Sequence, residues 1–465
     1  MNKYLKDASA MSLIAIIIVF LISLHSVPGL DNPRTSGSAW WQHPGMGISY
    51  TIESRPGWAW NRNYKKYNRS LMDENGNLIF NGPYCKVDEF VKLSKEIGAD
   101  YHMFYAKWHD GICFFETKLS DWKTPVDYMA GFSKLSKKEN IPFMIYYSNI
   151  FDHNPQFDHI QPLKWSTISF IQNPEYLRYL EGQYRELIEQ YDPDGLWLDW
   201  YWKTRTVNAT VTTSIDFIRK NYPDVVLGFN NSSRYESAHG VLDYTTHEIH
   251  TLGKPEGNLE GMGKLAASLF YLVGGGDEGW VNANHFRRDF DHKWSAVTPA
   301  GKFWQDPNLR SDPYDLPRIV AMVMACGGRN TVQVNIKMDG YVFEDHVEQM
   351  RIVGQWYKSR KHLFNQAKAL RYEGDTAPGI CGLPPGYKTI ASQLGDDVLI
   401  HIIKVEGSGI PSEILISEDE WSGVKGIYIE PKHQTLKITK QGGFLVVQFQ
   451  KDQIDPVDTI LRLDF

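Results

Sequence analysis

From residue 45 to about 365 the chain alternates short runs that are almost wholly apolar, β-branched or aromatic with longer stretches whose apolar residues recur at steps of three and four. The first pattern is that of a strand buried on both faces, the second that of a helix laying one stripe on a sheet, and their alternation predicts βα units. Strand-like runs fall at 45–52, 100–107, 142–149, 195–201, 225–231, 241–249, more weakly 267–273, and 331–338. Eight of them predict a closed parallel (β/α)8-like TIM barrel. The helix before the fourth run is the clearest, with Leu177, Leu180, Tyr184, Leu187, Ile188 and Tyr191 on one stripe, started by Asn173-Pro174 and followed by Pro193. Similar stripes cover 87–97 and 347–356 and are read as packing helices.

Near residue 366 the pattern changes. Segments become short, alternate in polarity and are punctuated by Asp396-Asp397, Gly426 and Gly442-Gly443, which predicts an antiparallel β-sandwich over 366–465, with 374–386 as a loop. At the other end, Lys3 and Lys6 precede an apolar run from Leu13 to Leu24, broken at Ser26, Pro28 and Gly29. That run is shorter than the roughly 20 residues needed to span a bilayer, so it predicts a secretory signal over 1–30. The barrel then covers 31–365, and the expected location is secreted or periplasmic, with no membrane contact beyond export.

Composition narrows the class. Hydrophobic content of 42%, charged content of 22% and a net charge of −6 over 465 residues are those of a globular chain without a basic footprint for nucleic acid. The four cysteines, 85, 113, 326 and 381, contain no CxxC pair, which argues against a structural zinc site and defines no disulfide framework. Aromatics reach 13%, with 15 Trp and 25 Tyr. Aromatic faces stack on sugars, but large cores use them too.

In parallel α/β barrels the chemistry sits where strands end, so the residues closing each run are the candidates. Asp199 closes Gly195-Leu196-Trp197-Leu198-Asp199, a carboxylate at the end of an apolar strand where burial is costly without partners. A helix-capping aspartate is the bland alternative. Trp108-His109-Asp110-Gly111 closes the second run, its His and Asp able to orient a hydroxyl-rich ligand, and Tyr146-Tyr147-Ser148 closes the third. Asn230-Asn231-Ser232-Ser233-Arg234 follows the fifth as either a loop or a hydrogen-bonding shelf, and Glu248 brings a second acid to the end of the sixth. A retaining glycosidase needs two carboxyl groups about 5–5.5 Å apart.

The segments 106–111 with Ser120-Asp121-Trp122, Leu196-Trp197-Leu198-Asp199 and 328–340 resemble, in order and spacing, the barrel motifs of glycoside hydrolase family 29, the α-L-fucosidases. The resemblance implies a retaining exo-glycosidase that removes terminal α-L-fucosyl residues from glycans, with a carboxyl-terminal β-sandwich and no metal or organic cofactor. It implies Asp199 as nucleophile, Glu248 as acid/base with Glu278 as its rival, and sugar contacts from His109, Trp108, Tyr147, Trp197 and Arg234. Two departures stand out. Trp108 replaces the first of the family's paired histidines, and Thr51 falls where the first strand often carries a histidine, so that Glu53 or Arg55 would supply that contact. These changes leave open a glycosidase for another deoxy or galactose-configured sugar. A barrel that only binds glycans is the competing reading from another class.

Overall fold

The computed structural model describes residues 39–52, 70–160, 173–199, 209–230, 232, 238, 240–250, 252, 293–302, 304, 306–372, 376–405, 407 and 409–465. The signal segment 1–30 and the residues Glu53, Arg55, Arg234 and Glu278 lie outside them, as does the run 267–273. Among the described residues no helix is long and apolar enough to cross a membrane.

Eight parallel strands close a barrel in chain order: β1 Gly45–Thr51, β2 Tyr101–Lys107, β3 Phe143–Ser148, β4 Gly195–Asp199, β5 Val226–Phe229, β6 Tyr244–Glu248, β7 Trp294–Pro299 and β8 Arg329–Asn335. One expectation is corrected. The seventh strand is β7, which pairs with β6 and β8, and not 267–273. Trp-Ser-Ala-Val-Thr-Pro offers only one aliphatic β-branched residue and a closing proline, so its strand character comes from the ladders on either side rather than from propensity.

Helices α1 Val87–Ile97, α2 Tyr128–Glu139, α3 Pro174–Tyr191, α4 Ala209–Asn221, α5 Asp315–Ala325 and α6 Glu344–Lys358 surround the strands, with α7 Lys361–Asn365 after them. Their ends follow local chemistry. The Asn173 side chain accepts from the amides of Glu175 and Tyr176 at 2.8 and 3.2 Å, with Pro174 at the first helical position. Gly98 ends α1 at φ 73°, a conformation without penalty for glycine.

Inside the barrel, rings fill the space that glycines leave open. A Cβ on Gly47 would collide with the Tyr101 ring, and one on Gly228 with the Tyr244 ring. At the amino-terminal mouth a short 3-10 turn, Ala39–Trp41, plugs the opening. The buried Arg329 guanidinium sits 4.8 Å from the Trp41 ring and 5.4 Å from that of Tyr101. This end is closed, which leaves the carboxyl-terminal end for a ligand.

Beyond α7 the chain forms two antiparallel sheets. One has the order β15-β14-β18-β12-β11-β9 and the other β10-β13-β17-β16. Here β9 is Lys368–Ala369, β10 Ile380–Cys381, β11 Tyr387–Leu394, β12 Asp397–Lys404, β13 Glu413–Ser417, β14 Gly426–Glu430, β15 Gln434–Thr435, β16 Ile438–Gln441, β17 Phe444–Gln448 and β18 Asp458–Asp464. The stretch 374–386, expected as loop, contributes β10 to the second sheet. Alternation along β12 divides its side chains: Val398, Ile400 and Ile402 enter the core between the sheets, while Leu399 and Ile403 join the core of the barrel. Two arginines fasten the sandwich, Arg318 donating to the Pro456 carbonyl at 2.8 Å and Arg360 pairing with Asp455 at 2.6 Å.

Candidate active site

Parity along each strand decides which side chains reach the carboxyl-terminal cavity. On β4, Leu196 and Leu198 face the helices, so Trp197 and Asp199 face inward. The same parity brings Tyr146 inward from β3, where it pairs in register with Trp197, and Gln333 from β8. On β2 the register shifts between Tyr105 and Lys107. This irregularity re-aims the end of the strand: Tyr105 still points in, Lys107 turns out between helices, and Trp108 and His109 swing over the cavity. Asn230 continues β5 by one backbone bond, its amide donating to the Leu198 carbonyl at 2.9 Å.

The cavity is lined by Tyr105, Trp108, His109, Tyr146, Trp197, Asp199, Asn230, Glu248, Val297, Trp304 and Gln333. Its wall is a run of stacked rings, with Tyr105 on Tyr146 at 3.7 Å between centroids, Trp108 on His109 at 4.0 Å and Tyr146 near Trp197 at 5.2 Å. Two carboxylates stand against this wall. Asp199 accepts the Tyr146 hydroxyl on Oδ2 and the Asn230 amide on Oδ1 at 2.9 Å. The same Asn230 nitrogen donates to Glu248 Oε1 at 2.7 Å. Because both oxygens bond that one nitrogen, they lie no more than about 5.6 Å apart, the two bond lengths laid end to end.

His109 is held in one form. Ser148 Oγ donates to the Phe151 carbonyl at 2.7 Å, so it receives the proton of His109 Nδ1, 2.5 Å away. Nε2 then faces Asp199 Oδ2 at 3.5 Å. Burial, reinforced by the neighbouring His153 and Lys107, holds the His109 pKa well below its ordinary value.

Asp199, Glu248, His109, Trp108 and Trp197 thus meet in one place. Tyr147 does not, and this expectation is corrected: on the opposite parity from Tyr146, its hydroxyl donates to Gln183 of α3 and its ring lies 4.2 Å from Lys107 Nζ, behind the barrel. Asp110 is also absent from the cavity; its Oδ1 receives the Ile112 amide at 3.0 Å and so fixes the loop. Sequence reasoning missed Tyr105, Tyr146, Val297, Trp304 and Gln333. For Tyr146 a signal existed, since strand pairing sets it opposite Trp197.

Two carboxylates bridged by one asparagine thus stand in an aromatic-walled cavity at the carboxyl-terminal end of a TIM barrel. The family model for alpha-L-fucosidase matches residues 37–362, more than half of the chain. The chain belongs to the α-L-fucosidase family. Among curated relatives, a putative alpha-L-fucosidase of Caenorhabditis elegans is 25% identical over 287 residues, covering 58% of this chain and 51% of its own. The chain therefore spans about half the length of that relative. A solved structure of Thermotoga maritima α-fucosidase in complex with fucose superposes with a TM-score of 0.66 at 17% identity, over 94% of this family member and 99% of that chain. A Bacteroides thetaiotaomicron α-L-fucosidase, solved as a trapped covalent intermediate with 2-fluoro-fucosyl fluoride, gives a TM-score of 0.63 at 15% identity, over 91% and 94%. At these identities the likeness is one of fold, and it extends through both the barrel and the sandwich.

Proposed function

We propose that the chain is a retaining exo-α-L-fucosidase acting on terminal α-L-fucosyl residues of glycans, exported by the segment 1–30 to the periplasm or the exterior. The reading rests on the carboxylate spacing. A gap of at most about 5.6 Å between the facing Asp199 and Glu248 oxygens fits a nucleophile in direct contact with the sugar, whereas an inverting enzyme leaves roughly 6.5–9.5 Å for a water. The trapped intermediate of the Bacteroides relative, on the same fold, supports the same course.

In the first step an Asp199 oxygen bonds to the anomeric carbon as the bond to the leaving oxygen breaks, and Glu248 delivers its proton to that oxygen. In the second, Glu248 takes a proton from water, whose oxygen displaces Asp199 and restores the original configuration. Tyr146 and Asn230 hold the nucleophile, and His109, beside it, bonds a sugar hydroxyl. The stacked rings exclude water and provide an apolar wall for the C5 methyl group. Arg234 and Glu53 are proposed to complete the sugar contacts.

Asp199→Ala should abolish turnover of an aryl α-L-fucoside without unfolding the protein, and wild-type enzyme treated with 2-fluoro-fucosyl fluoride should gain one glycosyl adduct by intact mass. Turnover persisting in the variant, or an unlabelled wild type, would overturn the reading. Trp108, which lies in the cavity wall where the family pattern has a histidine, favours one second reading, a different deoxy or galactose-configured sugar. A panel of aryl glycosides separates the two by rate.

A further inference from the structure

We propose that Asn230 is a positioning residue that sets the distance between the two carboxyl groups and favours the charged form of each. The inference rests on the proposed roles of Asp199 as nucleophile and Glu248 as acid/base. It starts from one atom: Asn230 Nδ2 has two hydrogens and meets two carboxylate oxygens, Asp199 Oδ1 at 2.9 Å and Glu248 Oε1 at 2.7 Å. The chemistry fixes the orientation of the amide. A carboxylate only accepts, so turning the group over would set its carbonyl oxygen against Asp199.

The backbone around Asn230 is tied on both sides. Its own amide extends the ladder to β4, and Ser232, two residues on, donates to the Phe229 carbonyl at 2.7 Å while accepting the Thr246 amide of β6 at 3.0 Å. Asn230 therefore stands between the strand that carries Asp199 and the strand that carries Glu248, with its position set by both. Its side chain is buried. In such surroundings a hydrogen bond to a charged acceptor is stronger than one to a neutral acceptor, so each N–H favours ionisation of the group it faces.

This arrangement suits a two-step reaction. While Asp199 is charged, its negative field on the far side of the shared amide works against ionisation of Glu248 and keeps a proton there for the leaving group. Once Asp199 is esterified that field is gone, and the Asn230 N–H facing Glu248 favours the carboxylate needed to take a proton from water. One amide thus serves both halves of the cycle.

The test is the pH profile of kcat/KM for Asn230→Ala and for Asn230→Asp, which keeps the shape but removes both donors. Losing a donor raises the pKa of each acid, so both limbs of the bell should move to higher pH, by roughly one unit in Asn230→Ala. In Asn230→Asp they should move further in the same direction, because a third carboxyl is added. Activity at the optimum should fall about 10–100-fold, chiefly in kcat. A bell that drops without moving would mean a structural role and overturn the proposal. Fluorosugar labelling of the wild type keeps the two ideas apart. If the wild type is labelled on Asp199 while the limbs of the variants stay put, this proposal alone fails; if the wild type is not labelled there, the functional reading fails and this proposal with it.

Discussion

Replacing Lys107 with methionine tests whether the loop that carries His109 is held from behind. The shift in β2 turns Lys107 out of the cavity into a site where neither it nor its partner Asp152 is exposed at all. Its Nζ pairs with Asp152 and lies 4.2 and 5.2 Å from the rings of Tyr147 and Tyr179. Asp152 also receives the Asn154 amide at 3.0 Å, and the amide of the residue between them, His153, donates to the His109 carbonyl at 2.9 Å. Removing one partner of a buried pair leaves the other charge uncompensated, at a cost of roughly 3–5 kcal/mol. For a large domain each kcal/mol lowers the melting temperature by about 2–4 °C, so Lys107→Met should melt roughly 10 °C below wild type. Calorimetry supplies the first readout, and kcat/KM on an aryl fucoside the second, which should fall as His109 loses its fixed position. The double variant Lys107→Met/Asp152→Asn has no stranded charge and keeps an acceptor for the Asn154 amide, so it should regain more than half of the lost stability. A single variant within about 2 °C of wild type, or a double variant no better than the single, would refute the reasoning.

Two further outcomes rest on other contacts. Tyr146→Phe keeps the ring stacked on Tyr105 but removes the hydroxyl that Asp199 accepts, so kcat/KM should fall about 10–100-fold, with the acidic limb moved up by roughly one pH unit and little change in melting temperature; an unmoved limb counts against the contact. Burial holds His102 at a pKa of about 3, so below about pH 6.5 the unfolded chain binds a proton that the folded chain refuses. Stability present above that pH is lost as pH falls toward 3, at up to roughly 1.4 kcal/mol per unit, and urea midpoints at pH 7 and 5 should diverge less in His102→Gln than in wild type.

How far the sequence revealed this site depended on which physical signal each residue left. Asp199 was legible because a carboxylate is out of place in an apolar strand buried on both faces, and a closed parallel barrel puts strand ends at the ligand. The order of strands and three of the helices were legible from period alone, except at β7, whose six residues have little strand character of their own and are ordered by their neighbours. Tyr146 and Tyr147 are the instructive pair. Chemically identical and adjacent, they differ only in parity, and composition cannot choose between them. Register can: with Asp199 inward, the in-register pairing of Ser148 with Asp199 and of Tyr146 with Trp197 turns Tyr146 into the cavity and sends Tyr147 to Gln183. His109 needed more than parity, because the shift in β2 breaks the alternation just before it. Asn230 left the faintest trace, one amide in a polar run that reads equally well as loop. Its part is visible only when β4, β5 and β6 are side by side, since it consists in touching two acids that lie 49 residues apart in the chain. The geometry relating the carboxylates is thus a property of three strands in register, and no single segment of sequence contains it.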